Sequence, residues 1–170
     1  MRPFAAAFAL LAAGLAHAHS ASDAYLTLTV AAPHAKATVI EARWDIALRD
    51  LHFALGLDDD GDGNLTWAEV KRQAPRIAHY AYGSLRASGD GAACALEPSR
   101  FAIADRADGA YAALFFRFVC DGAPRAVALD YGLFFAIDPS HRGILVLRTD
   151  NGASSALVSP DNARVDLRLR

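Results

Sequence analysis

The sequence predicts an α+β fold, an antiparallel β-sandwich-like domain that carries an inserted helical hairpin. Three observations predict it. After Gly89-Asp90-Gly91, short alternating or apolar runs recur to the end of the chain, separated by turn pairs such as Asp108-Gly109, Asp121-Gly122 and Asn151-Gly152. Between residues 45 and 88 the apolar spacing switches to a helical period on both sides of an acidic, Gly-rich loop. The chain of 170 residues is 54% hydrophobic, enough for one real core, and no internal repeat, low-complexity tract or linker divides it.

Residues 1–18 read as an export signal. Arg2 supplies the positive start, residues 4–15 form an apolar run, and Ala16-His17-Ala18 gives the small-x-small cleavage pattern. The run is well short of the roughly 20 residues that span a bilayer, so a membrane anchor is disfavoured. Cleavage would make residues 19–170 a single exported domain, periplasmic or secreted, beginning at His19.

Residues 24–30 (A-Y-L-T-L-T-V) alternate with β-branched content and predict a first strand, and residues 37–44 a second after the Pro33-His34 turn. From Asp45, a plausible N-cap, Ile46, Leu48, Leu51 and Leu55 predict a helix up to Gly56. A second helix is expected from Thr66 through Val70 toward Ala74. Pro75 should kink or restart it as an extension carrying Ile77, Tyr80, Ala81 and Leu85, to about residue 88. Strands are then expected at residues 94–96, 101–105, 111–120, 126–137, 144–148 and 156–159, and the terminal V-D-L-R-L-R alternates too.

Between the first two helices stand twelve residues, D-D-D-G-D-G-N-L-T-W-A-E. They fit the EF-hand calcium loop, giving a helix-loop-helix over about 45–75. Asp58, Asp60 and Asp62 occupy the first, third and fifth places, where a tightly wound loop aims carboxylates at one centre. Asn64 would offer its backbone carbonyl, Thr66 would act directly or through a water, and Glu69 would reach back from the next helix to bind bidentately. Gly63 permits the sharp turn, Leu65 should point inward, and Asp59 should face solvent. Carboxylates this close repel one another, and a calcium ion is the charge that would balance them.

In an oxidising compartment Cys94 and Cys120 are expected to form a disulfide; their wide spacing and the absence of a C-x-x-C pair argue against a thiol metal site. His34, His52, His79 and His141 are scattered without ligand spacing and read as surface or capping residues, His141 within a turn shaped by Asp138-Pro139 and Gly143. His19 is different. As a new N-terminus its α-amine and imidazole could chelate one copper or nickel ion.

The formal net charge is -2, and no basic cluster points to nucleic acid. No G-x-S-x-G, H-E-x-x-H or phosphate-cradling loop is present, so the reading is non-enzymatic.

Four stretches together resemble the exported N-terminal region of HupE/UreJ-type membrane proteins. They are A-H-S-A-S-D-A-Y-L-T-L at residues 18–28, R-W-D-I-A-L-R-D-L at 43–51, the acidic run at 56–69, and D-P-S-H-R-G at 138–143. The resemblance implies an extracytoplasmic domain with an EF-hand, followed by membrane helices in proteins linked to nickel handling for hydrogenase or urease. Here no apolar stretch after the signal approaches a membrane span, so the chain is expected to stand alone or to be the front of a membrane protein. Two functions follow: a calcium-binding domain with Ca2+ ordering the hairpin, or a transition-metal accessory domain working through His19.

Overall fold

The computed structural model describes residues 22–30 and 36–169. The expected export signal, His19 and the turn expected at Pro33-His34 lie outside the described residues. The chain builds β1 (Asp23–Val30), β2 (Ala37–Ala47), α1 (Leu48–Leu55), α2 (Trp67–Arg72), α3 (Ala74–Gly83), β3 (Leu85–Gly89), β4 (Ala92–Ala93), β5 (Ala95–Arg106) and β6 (Gly109–Asp121). It ends with β7 (Ala126–Tyr131), β8 (Arg142–Thr149), β9 (Gly152–Val158) and β10 (Arg164–Arg168).

Two sheets form, in the orders β5-β6-β2-β1-β8-β9 and β10-β7-β3-β4. Alternation fixes which side chains point inward. Leu114, Trp44, Leu26 and Leu145 stand opposite one another across β6, β2, β1 and β8, and all four are buried. They meet Leu129 and Tyr131 from the second sheet in one core cluster, with Trp44 and Tyr131 ring centroids 5.5 Å apart. Leu51, Val70, Ile77 and Ala81 bring the helical faces into that same cluster.

The expected all-antiparallel arrangement is corrected at one pair. β1 and β8 run parallel, Leu26 opposite Leu145, because the chain reaches β8 only after passing through the second sheet, a crossover that parallel strands require. Gly143 belongs to this seam: a Cβ there would come within 2.5 Å of Val158 and 2.8 Å of Tyr131.

Several element boundaries also differ from expectation: the strands expected at 94–96 and 101–105 are one, β5, and β9 starts at Gly152 rather than 156. Asp45 caps no helix. It is a buried β2 residue whose carboxylate accepts from Arg43 at 2.9 Å and Arg106 at 2.8 Å, and α1 starts only at Leu48. The helical extension stops at Gly83, and 85–89 is a strand. The run expected over 126–137 ends as a strand at Tyr131, after which Phe134 takes a left-handed φ of 59°.

Cys94 and Cys120 are joined in a disulfide. It fastens the point where the chain leaves β4 for β5, since the Cys94 N–H also donates to the Ala87 carbonyl of the second sheet. That bond agrees with an oxidising compartment. Among the described residues, no helix is long and apolar enough to cross a membrane.

Candidate metal centre

The loop from Asp58 to Glu69 joins α1 to α2, and local chemistry sets both of its ends. α1 terminates at Gly56, left-handed at φ 60°, whose N–H donates to the His52 carbonyl at 2.7 Å. The His52 ring accepts the Leu57 N–H at 3.1 Å, so this histidine is a capping residue. At the far end Thr66 and Glu69 form a capping box, a strong start signal for a helix of only six residues.

Glu69 closes the loop. One carboxylate oxygen accepts the Asp59 N–H at 2.9 Å; the other accepts the Thr66 N–H at 2.8 Å and its hydroxyl at 2.7 Å. These bonds, the Thr66 hydroxyl foremost, pull the Glu69 carboxyl down to about 2. Asp58 accepts from the Gly63 N–H at 2.9 Å and the Gly61 N–H at 2.7 Å, which lower its carboxyl, Gly63 having the larger effect. Gly63 itself sits at φ 83°, where a side chain would be strained. Asp60 goes the other way. The Asp62 N–H favours its anion, but repulsion from Asp62 and Glu69 and partial desolvation lift it above the usual range.

Oxygens of Asp58, Asp60 and Glu69 lie within 4.8 Å of one another. Asp62 is not in that group; it is exposed and accepts the Asn64 N–H at 2.7 Å. The Asn64 amide group donates to the Asp62 carbonyl at 3.4 Å, and Thr66 serves as the N-cap. Asp59 is exposed as expected and holds Arg72 at 3.1 Å and Gln73 at 2.6 Å, bracing the loop against α2. Leu65 is half-buried against the core. The donor set is all oxygen and anionic, which suits a hard divalent cation and not a thiophilic one.

The turn expected at Asp138-Pro139 forms, with the His141 N–H donating to the Asp138 carbonyl at 3.1 Å, but the surface reading of His141 is corrected. It is fully buried, with Nδ1 2.7 Å from the Ser22 hydroxyl and Nε2 2.9 Å from the Tyr131 hydroxyl. Ser22 also donates to Asp50 at 3.0 Å. Burial pushes the His141 imidazole down to about 4. Ser22, Asp50 and His141 are far apart along the chain, and no local pattern in the sequence signals that they meet. His79 is exposed on α3.

No protein-family model matches this chain, and no curated protein matches it.

Proposed function

We propose that the chain is an exported, non-enzymatic calcium-binding domain whose single EF-hand loop orders the helical segment against the sheets. The observation that carries this reading is the approach of Asp58, Asp60 and Glu69 oxygens to within 4.8 Å on a loop with the EF-hand spacing. Asp58, Asp60 and Glu69 would hold the ion, with Asp62, Asn64 and Thr66 completing the set. A bound calcium supplies compensating charge and ties the end of α1 to the start of α2. Glu69, already bonded to both ends of the loop, keeps those ends in reach of one another. The disulfide and the apolar N-terminal run support export, and the four resembling stretches support kinship to an extracytoplasmic domain with a membrane partner or membrane region.

Among the described residues no second EF-hand loop shares the short segment at Leu65, so the site is without the intramolecular pairing that pre-organises tight sensors. Isothermal titration should give one calcium site with a dissociation constant on the order of 10⁻⁵ to 10⁻³ M. Nanomolar affinity, or no heat at millimolar calcium, would reject the reading. Parallel titrations with nickel and copper measure what His19 contributes.

A further inference from the structure

We propose that β9 is a pairing edge for a second copy of this chain, two β9 strands joining antiparallel about a two-fold axis at Ser154. The surface belongs to the sheets and does not rest on the calcium reading.

A sheet edge with bare backbone invites a further strand, and proteins guard such edges with charge, proline, a bulge or brevity. The edges of the two sheets are β5, β9, β10 and β4. β5 carries Pro98 with a register shift between Pro98 and Arg100, and Glu97, Arg100, Asp105 and Arg106 add charge. β10 alternates charge through Arg164, Asp166 and Arg168, and β4 is only Ala92–Ala93. β9 has no such guard. It reads G-A-S-S-A-L-V, its register with β8 runs unbroken from Gly152 to Val158, and residues 152–155 are exposed. Among the described residues no strand lies on its far side.

Backbone geometry identifies the open groups. Gly152 faces Thr149 across a turn made of Asp150-Asn151 alone, so that pair is hydrogen-bonded and alternate residues after it turn the other way. Ala153, Ser155 and Leu157 therefore direct their N–H and C=O to the open side. The Leu157 carbonyl is taken by the Asn162 amide group at 3.2 Å, and Ser159, next in that series, exchanges both backbone bonds with Asn162. Ala153 and Ser155 are left.

A two-fold axis at Ser154 pairs these two with each other: Ala153 bonds Ser155 of the second copy, and Ser155 bonds Ala153 of the second copy. Ser154 then meets itself on the axis and Gly152 meets Ala156. No side chain larger than serine and no charge stands in that seam. The same smallness disfavours a foreign peptide, because an added strand gains specificity from pockets for its alternate side chains. Residues 152–156 are too small to wall one.

A seam this short makes a transient dimer, with a dissociation constant on the order of 10⁻⁴ M. Sedimentation velocity of the exported chain from about 10 µM to about 1 mM should show it, in calcium and in EDTA alike. Ser155→Pro removes an outward N–H that β8 does not use, and Ser154→Lys sets two ammonium groups against each other on the axis. Each should weaken association at least about tenfold, and Ser154→Lys, at an exposed position, folds even where the proline variant does not. Both native cysteines are bridged, so an introduced cysteine is the one free thiol. Under air oxidation Ser154→Cys should link two copies about tenfold faster than Ala153→Cys, which stands diagonal to its own copy and out of disulfide reach. A monomer at about 1 mM, a dimer indifferent to Ser154→Lys, a dimer lost in EDTA, or equal crosslinking at the two positions would each overturn the proposal.

Discussion

His141 sits fully buried between Ser22, Tyr131 and the Phe134 ring, whose centroid is 5.0 Å away. Its imidazole, pushed down to about 4 by burial from an ordinary 6.5, stays neutral where an unfolded chain would already be charged. The unfolded state therefore binds more protons between those values, and stability must fall as pH drops from 6.5 toward 4. Glu69 has its own window: with its carboxyl held near 2 against an ordinary 4.5, its contribution is whole above 4.5 and is lost only as pH falls toward 2. The two are separable at pH 5 to 7. Over that span His141 alone should cost the wild type about 2 kcal/mol. Urea unfolding at both pH values measures it, and His141→Gln, which does not titrate, should flatten the difference. Equal pH dependence in the two proteins would mean that the imidazole is charged in the fold. None of this was legible in the sequence, since D-P-S-H-R-G reads as an exposed turn. The burial of its histidine is made by Ser22 and Tyr131, residues distant along the chain.

α2 shows how a short element survives. Six residues form too few internal bonds to stand alone, so its caps and its buried Val70 decide whether it exists. The Thr66 hydroxyl accepts the Glu69 N–H, and Glu69 returns the bond to the Thr66 N–H. Thr66→Ala should cost about 1 kcal/mol and lower the melting temperature by about 2–4 °C, whereas Thr66→Ser should retain most of the stability. Thermal unfolding monitored by far-ultraviolet circular dichroism decides between them; an unchanged melting temperature in Thr66→Ala would show the cap to be dispensable. This start was legible because a capping box is local. The neighbouring boundaries were not, for a related reason. Ile46, Leu48, Leu51 and Leu55 have helical spacing, yet Ile46 is buried as the last residue but one of β2, on the same face as Trp44. Ile77, Ala81 and Leu85 likewise continue one helical stripe across a real break at Ser84, whose hydroxyl bonds the Ala81 carbonyl and ends α3. Leu85 then serves the same core from a strand.

At the scale of the whole molecule, the helical segment between β2 and β3 shares its core with two sheets that have other ties. Strand alternation made most of those strands legible. The parallel β1–β8 pair was not, because register between distant strands leaves no local pattern. The division of labour predicts how the protein answers calcium removal. Asp58, Asp60 and Glu69 would then repel one another without a compensating ion, so the loop and the first turn of α2 bear the cost. The sheets carry the row from Leu114 to Leu145, and the disulfide fixes β6 near the β4–β5 passage. Asp45, Ile46 and Ala47 belong to that protected body, being paired within the central sheet. Chelation should therefore speed amide hydrogen exchange across residues 48–83 and most strongly at 57–70. β2 and β6 should keep their protection. Within the segment α3 should respond least, because Ile77 and Ala81 are wholly buried in the shared core. Glu69→Gln should reproduce the chelated pattern in the presence of calcium. Global unfolding on chelation would mean that the sheets depend on the ion. Exchange unchanged everywhere would mean that the loop holds no calcium, and the proposed function would fall with it.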